Sequence, residues 1–442
     1  MNFFRNEGIP LLDIAEREHS DEQYNLLNID QVKKILLSDK FPYVFQILLL
    51  ILLPVLAAAG LILKPEAGGK LIVHLIWGIW WPLMICLTVL FGRIWCMICP
   101  LEFLGRMAEK AGSLLHIRQR NLSRNLKRGA AVLVLYVLVQ MLDAAADIHK
   151  DPTATAYFIL GLLGISGLAG LFFKNGALCK GFCPVSLTLG TYSRGGMISF
   201  RAGSENACRE CVSKSCVREC PGFVSPPKLK SNKDCLLCAR CTKVCNRDNI
   251  QLLFRKPFDI RNRREIMASW IVTLFVMADS GFVIGELAED WKAADSIFMA
   301  LPEKAGELTQ LQNYAGIFEG IWALILFPLL FWTMLGVILK LSNGALGITK
   351  AWRKLALPAV IIFSAGHMVK CIITLVSQIH LPLFNTMFLT VSGFIILSAA
   401  LYFSVREDLI VRGIHYRKKL IPHIVVYLLL AVLIIGTGLF PG

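Results

Sequence analysis

The chain has 442 residues, enough for several domains, but its makeup is not that of a soluble protein: 55% of the residues are hydrophobic and 17% are charged. Many apolar runs reach the roughly 18 residues that read as a membrane span. Lys and Arg number 46 against 31 Asp and Glu, a net charge of +15, yet the excess is concentrated in particular loops, which points to membrane topology rather than to nucleic acid.

In chain order, residues 1–41 read as a cytoplasmic segment, mixed and charged (MNFFRNEGIPLLDIAEREHSDEQYNLL), that stays in the compartment of synthesis. A four-span membrane region over 42–200 follows, with spans near 43–63, 71–91, 129–148 and 154–173. The second and fourth spans each lead into a cysteine pair closed by proline, CMICP (96–100) and CKGFCP (179–184). Residues 201–264 form a ferredoxin domain with eight of the fourteen cysteines, and 265–442 a five-span region with spans near 266–287, 317–340, 355–378, 384–404 and 422–440. The expected fold is an all-α polytopic membrane protein of about nine transmembrane helices. A small α+β domain of the bacterial di-cluster ferredoxin type is inserted in it.

Charge sets the orientation. Segment 92–128 holds Arg93, Arg106, Lys110, Arg118, Arg120, Arg124, Lys127 and Arg128 against Glu102 and Glu109; 201–265 is richer still, and 405–420 carries Arg406, Arg412, Arg417, Lys418 and Lys419. The intervening 64–70 and 149–151 are short and poor in charge, while 288–316 is acidic. Nine spans in a bacterial cytoplasmic (inner) membrane satisfy every loop if the N-terminus and ferredoxin domain are cytoplasmic and the C-terminus outside. Anionic membrane lipid would add to the pull on the basic loops. The cysteine motifs then face a reducing compartment, which favours metal or redox chemistry over disulfides.

The cysteines of 208–220 are spaced C-x2-C-x4-C-x3-C-P and those of 235–245 C-x2-C-x2-C-x3-C. The second is the bacterial ferredoxin spacing, in which three close thiolates wrap one [4Fe–4S] cube and the fourth reaches the neighbouring cube. One cluster is therefore expected on Cys208, Cys211, Cys216 and Cys245, and the other on Cys235, Cys238, Cys241 and Cys220. Zinc knuckles pair C-x2-C units across a longer loop, which suits this run poorly. The extra residues before Cys216, and Asn246 where proline usually follows, depart from the ideal repeat. For Cys96, Cys99, Cys179 and Cys183 three readings stand: a third iron–sulfur cluster, redox-active dithiols, or packing. Pro100 and Pro184 hold the preceding cysteine extended. Cys86 and Cys371, alone in apolar runs, read as small buried hydrophobes.

Four spans, two Cys-Pro pairs and a double cluster motif, in that order over about 40–260, make the chain resemble the membrane polyferredoxins of the NapH, NosR and CcoG type. The resemblance implies electron transfer between membrane quinol and a partner redox protein. That family usually writes both pairs as C-x3-C-P; here the first is one residue short. The five later spans have no counterpart in the short NapH-like members.

Ionisable residues inside spans are costly and mark candidate sites. Asp279 is mid-span, Asp143 and Asp147 lie toward the outer end of the third span, and His367, Lys370 and Cys371 fall within about one turn. His367, Lys370 and Asp279 are the candidate quinone or proton site, with an interhelical ion pair as the competing explanation. No C-x-x-C-H occurs, so c-type haem attachment is excluded. Haem b, for which His74, His367 and His380 would be ligands, is not expected. The run WGIWWP (77–82) reads as packing or an interfacial anchor, and no glycine-rich phosphate motif is present.

The expected function is an electron-transfer subunit, an oxidoreductase component of the quinol-dehydrogenase type within a larger respiratory complex. Basic residues around the clusters (Arg209, Lys214, Arg218, Arg240, Lys243, Arg247) would steer an acidic ferredoxin or flavodoxin, unless they only follow the positive-inside bias. Two alternatives are a CcoG-like copper reductase or assembly factor, with Met84, Cys86, Met368 and Cys371 as a soft-metal path, and a redox-coupled ion or proton translocator in the last five spans.

Overall fold

The computed structural model describes residues 24–63, 69–229, 231–259, 265–310, 315–342, 347–379, 386–412 and 417–438. Residues 1–23 and His380 lie outside the described residues.

The long apolar runs become helices because only an internally hydrogen-bonded backbone is stable in hydrocarbon. Seven are long and apolar enough to cross a membrane: Tyr43–Ile62, Lys70–Phe91, Pro152–Phe172, Trp270–Ala288, Ala315–Leu341, Ile348–Gln378 and Leu389–Val411. Shorter apolar helices, Ala130–Ala146 and Ile421–Ile434, fall at the third and ninth expected spans. Crossing length is thus reached by seven of the nine expected segments among the described residues. The 17 residues of Ala130–Ala146 extend about 25 Å at 1.5 Å per residue, and the helix stops at Asp147, whose backbone is left-handed with φ 45°.

Burial sorts the spans. Tyr43–Ile62 exposes Leu48, Ile51, Val55 and Ile62, the apolar face that lipid requires. Trp270–Ala288 and Ile348–Gln378 are the most enclosed of the seven. Around them lies one apolar core that includes Phe275, Val276, Trp332, Ile362 and Phe363, and also Ile85, Tyr136 and Tyr192 from the first four-span region. The two membrane regions therefore pack as one body. Glycines set the closest approach in the first half: a Cβ on Gly170 would lie 2.0 Å from the carbonyl oxygen of Gly105, so the helices Pro152–Phe172 and Pro100–Leu114 touch backbone to backbone.

The extramembrane part is built on a three-stranded antiparallel sheet, β1 (Tyr24–Asn25), β2 (Ile198–Ala202) and β3 (Ile250–Phe254), in the order β1-β3-β2. In register Ile198 faces Phe254 and Ala202 faces Ile250, and the cysteine motifs lie on the long connection between these two strands. The N-terminal segment supplies β1 and the helix Asp30–Leu37. Leu27 and Leu36 enter the same core as Phe200, Leu237, Ile250 and Leu252. Two strands alone make a marginal sheet, and the added strand and helix cover it.

One polar contact fastens this part to the helices of the membrane body, and a second braces the cysteine loop against the sheet. Glu102, 5% exposed, accepts from Arg106 Nε at 3.1 Å and from Arg240 of the second cysteine loop. Asn232 donates to the carbonyls of Gly196 (2.8 Å) and Ile198 (3.0 Å), pinning the approach to Cys235 onto β2. Gly196 is required at that turn, because a Cβ there would lie 2.6 Å from the backbone nitrogen of Gly92.

Gly170→Leu should cost about 1–3 kcal/mol through this overpacking and lower the thermal midpoint of the detergent-solubilised chain. Gly161→Leu on the same helix, where a Cβ meets nothing within 4 Å, should leave it unchanged. Equal midpoints for the two variants would contradict the packing described.

Candidate functional site

The loop carrying Cys235, Cys238 and Cys241 is wound by two left-handed residues, Leu237 (φ 51°) and Ala239 (φ 59°), whose side chains are buried. Such conformations are uncommon without glycine, and two of them within one short loop curl the chain around a centre. Cys241 lies within electrostatic reach of Cys235 and Cys238 and of Cys220 from the other motif. Cys216 lies within reach of Cys208 and Cys211 and of Cys245. Each motif therefore lies near one cysteine of the other, Cys220 by Cys241 and Cys245 by Cys216.

Three of the sulfurs, those of Cys208, Cys211 and Cys245, have contacts that suit negative charge. Asn249 donates through Nδ2 to Cys208 Sγ at 3.1 Å and through its backbone N–H to Cys245 Sγ at 3.4 Å. A contact with the Ser213 hydroxyl holds the Cys211 thiol below its ordinary value. Burial pushes the Cys238 thiol up to about 12, so it ionises readily only against a cation such as iron. Among the described residues no three His, Cys, Asp or Glu converge closely enough for a single metal ion. A four-iron cube takes its ligands at separated corners and does not require that convergence.

A third group forms at the edge of the membrane helices. Cys96 lies in the short turn Ile94–Met97, and Cys99 is extended (φ −61°, ψ 120°) before Pro100, which opens the next helix. Cys179 lies in the π-helical turn Leu178–Phe182, and Cys183 is extended (φ −78°, ψ 113°) before Pro184. Cys96, Cys99, Cys179 and Cys183 are mutually within electrostatic reach. The guanidinium of Arg93, 4% exposed, lies against Cys96 and within reach of Cys179 and Cys183. It donates to Ser186 Oγ (3.2 Å) and the Lys233 carbonyl (3.4 Å), while its Nε has no hydrogen-bond partner. Four thiols beside a buried cation with a spare donor fit an anionic cluster; neutral packing would leave that charge uncompensated.

Within the membrane body, Asp279 is fully buried. It accepts from the Tyr192 hydroxyl at 2.9 Å and the Tyr136 hydroxyl at 3.2 Å. Tyr192 is also 3.1 Å from His367 Nδ1. Lys370 does not join this set; it pairs with Asp290 at 2.7 Å. A cavity of about 310 Å³ is lined by His367, Trp81, Tyr136, Glu286, Lys370 and Cys371, and by Pro184 and Val185 just after Cys183. Its wall includes His74, Trp77 and Gly78 from the π-helical stretch His74–Trp80, a departure from α-geometry frequent at functional sites. Asp143 and His149, 3.0 Å apart, line it as well. Cys86 and Cys371 lie within electrostatic reach of each other.

Residues 73–125 match a family described as 4Fe-4S binding domain, a stretch that contains Cys96, Cys99 and Pro100. The ferredoxin-type protein NapH of Haemophilus influenzae is 25% identical over 183 residues, covering 36% of this chain and 61% of the relative. The chain thus spans about three-fifths of that protein's length. The chain resembles the membrane polyferredoxins. No solved structure matches it. A 4Fe-4S binding domain on membrane-spanning helices supports a membrane-associated role in electron transfer for this polyferredoxin-like chain.

Sequence reasoning passed over Tyr192, Tyr136 and Asn249, and counted Arg93 only as a basic loop residue. Tyrosine is uncharged at neutral pH, so a search for ionisable residues in spans skips it. Its hydroxyl needs a partner when buried, and that was the available signal.

Removing a hydrogen bond to a cluster sulfur leaves more negative charge on the cluster and lowers its potential. Asn249→Ala should shift one couple negative in an EPR-monitored redox titration while the others hold. An unchanged titration at full iron content would remove Asn249 from the site.

Proposed function

We propose that the chain passes electrons between the membrane quinone pool and a partner redox protein, through [4Fe–4S] clusters on the cytoplasmic face. The observation that carries the reading is the cavity of about 310 Å³, whose wall includes both His367 and the two residues following Cys183. A quinone head bound there would have a proton relay on one side and the nearest thiol group on another.

A quinol gives up two electrons and two protons as it becomes quinone. Because the Tyr192 hydroxyl donates to Asp279, its oxygen accepts from the Nδ1–H of His367, which leaves Nε2 of that ring to take a proton. Glu286, Asp143 and His149 continue the wall into a second cavity of about 70 Å³ and supply further acceptors. Each cluster, when bound, takes up one electron at a time, so the pair leaves in two steps. Cys96, Cys99, Cys179 and Cys183 would hold the cluster nearest the quinone. The ferredoxin cysteines would hold the two leading away from it.

A partner of acidic character, such as a ferredoxin or flavodoxin, is supported by a cleft of about 410 Å³ beside Cys220. Lys110, Lys174 and Arg218 line it, against Glu109 and Glu219. Two of the basic residues named from the sequence are otherwise engaged: Arg240 with Glu102, and Lys243 with the carbonyls of Ser38 and Phe41.

In anaerobically purified protein, a quinol should change the EPR signals of the clusters. Tyr192→Phe should slow that change by about tenfold or more with the iron content unaltered. If quinol and quinone leave the signals untouched while cupric ion oxidises the clusters, the quinone reading fails and metal reduction replaces it. Cys183→Ser should lower iron from about twelve to about eight atoms per chain; unchanged iron would remove the third cluster.

A further inference from the structure

A further cavity, of about 630 Å³, lies where membrane helices begin on the side of the cysteine-rich extramembrane part. Its wall takes Gly129 and Val132 from the start of Ala130–Ala146, Ser269–Val272 from the start of Trp270–Ala288, and Arg353 near the start of Ile348–Ile379. Six cations line it, Arg93, Lys127, Arg128, Lys180, Lys233 and Arg353, against one acid, Asp234. Lys180 pairs with that Asp234, and Lys233 with Glu265 at 3.5 Å. Among the described residues no carboxylate pairs with Lys127, Arg128 or Arg353. Lys127 lies over the Phe223 ring at 4.7 Å and Arg353 over Trp270 at 5.7 Å.

The positive ends of two helix dipoles add to this field. Cations gathered without counter-charge repel one another and disfavour the compact state, so an anion is the natural occupant. We propose that the cavity binds the phosphate headgroup of an anionic membrane phospholipid, lodged between the membrane body and the ferredoxin domain.

The apolar rim favours a lipid over a free anion. Trp270 is 45% exposed, and Leu274, one turn further along the same face, is 45% exposed too. A charged pocket continuous with an exposed apolar strip matches a headgroup joined to an acyl chain. Basic pockets between membrane helices recognise such headgroups.

The test uses the full chain stripped of lipid in detergent, titrated with phosphatidylglycerol, phosphatidylcholine or inorganic phosphate, and read by native mass spectrometry and thermal midpoint. Phosphatidylglycerol should be retained and should raise the midpoint, with phosphatidylcholine and inorganic phosphate much weaker. The double variant Lys127→Gln, Arg128→Gln should weaken phosphatidylglycerol retention about tenfold, with iron content as the check on folding. Arg118→Gln, at an exposed basic residue outside the cavity, should change nothing. Equal retention of phosphatidylcholine, or the same stabilisation by inorganic phosphate alone, would overturn the lipid assignment. The titration of the wild-type chain decides this even if the double variant does not fold.

Discussion

The buried guanidinium of Arg93 is the point on which the seam between the membrane helices and the cysteine-rich extramembrane part depends. A charge removed from water costs several kcal/mol unless its surroundings compensate it, and here compensation comes from three separate segments. Ser186 follows the fourth expected span, the Lys233 carbonyl belongs to the approach to Cys235, and Cys96 follows the second span. Holding those partners in place fixes the two Cys-Pro turns relative to the loop that carries Cys235. Glu102, shared between Arg106 and Arg240, repeats the device a few residues on. Electron transfer through clusters needs separations that do not drift, and a buried guanidinium held by three segments, with a buried ion pair beside it, meets that need because any displacement leaves a charge without its partners.

The last spans pack into the same body as the first. Asp279 and His367 come from the two most enclosed helices of the C-terminal region, while Tyr136 and Tyr192, which connect to them, come from the first. A carboxyl group surrounded by apolar side chains is tolerated because two hydroxyls satisfy it. The buried polar network thus ties the halves together, and its Tyr136 and His367 line the cavity considered for the quinone. The π-helical stretch His74–Trp80 brings His74 and Trp77 to the same wall.

Parts of this were legible from residues alone. The apolar runs announced the spans because the bilayer demands them. Shortfalls came at the ends, where Ala130–Ala146 breaks off at a left-handed Asp147. Cysteine spacing marked the two motifs, because a tight loop can offer only neighbouring thiols to one centre, and the fold brings Cys220 near Cys241 and Cys245 near Cys216. The role of the N-terminal segment was hidden: nothing in Tyr24–Asn25 marks it as the edge strand of a sheet whose other strands lie some 170 residues away or more. Lys370 was grouped with His367 by helical spacing, yet its partner is Asp290 from a loop.

The sequence by itself determined what is local: which segments suit lipid, which loops are basic, and which thiols are close along the chain. Only the tertiary structure decided what is shared between distant segments. That includes the gathering of Cys96 and Cys99 with Cys179 and Cys183, the linkage of Asp279 to His367 through Tyr192, and the cationic cavity above Trp270. The reason is physical. Periodicity and spacing report the neighbours a residue has along its own helix or loop. A buried tyrosine, asparagine or arginine acquires its meaning from a partner that packing brings to it.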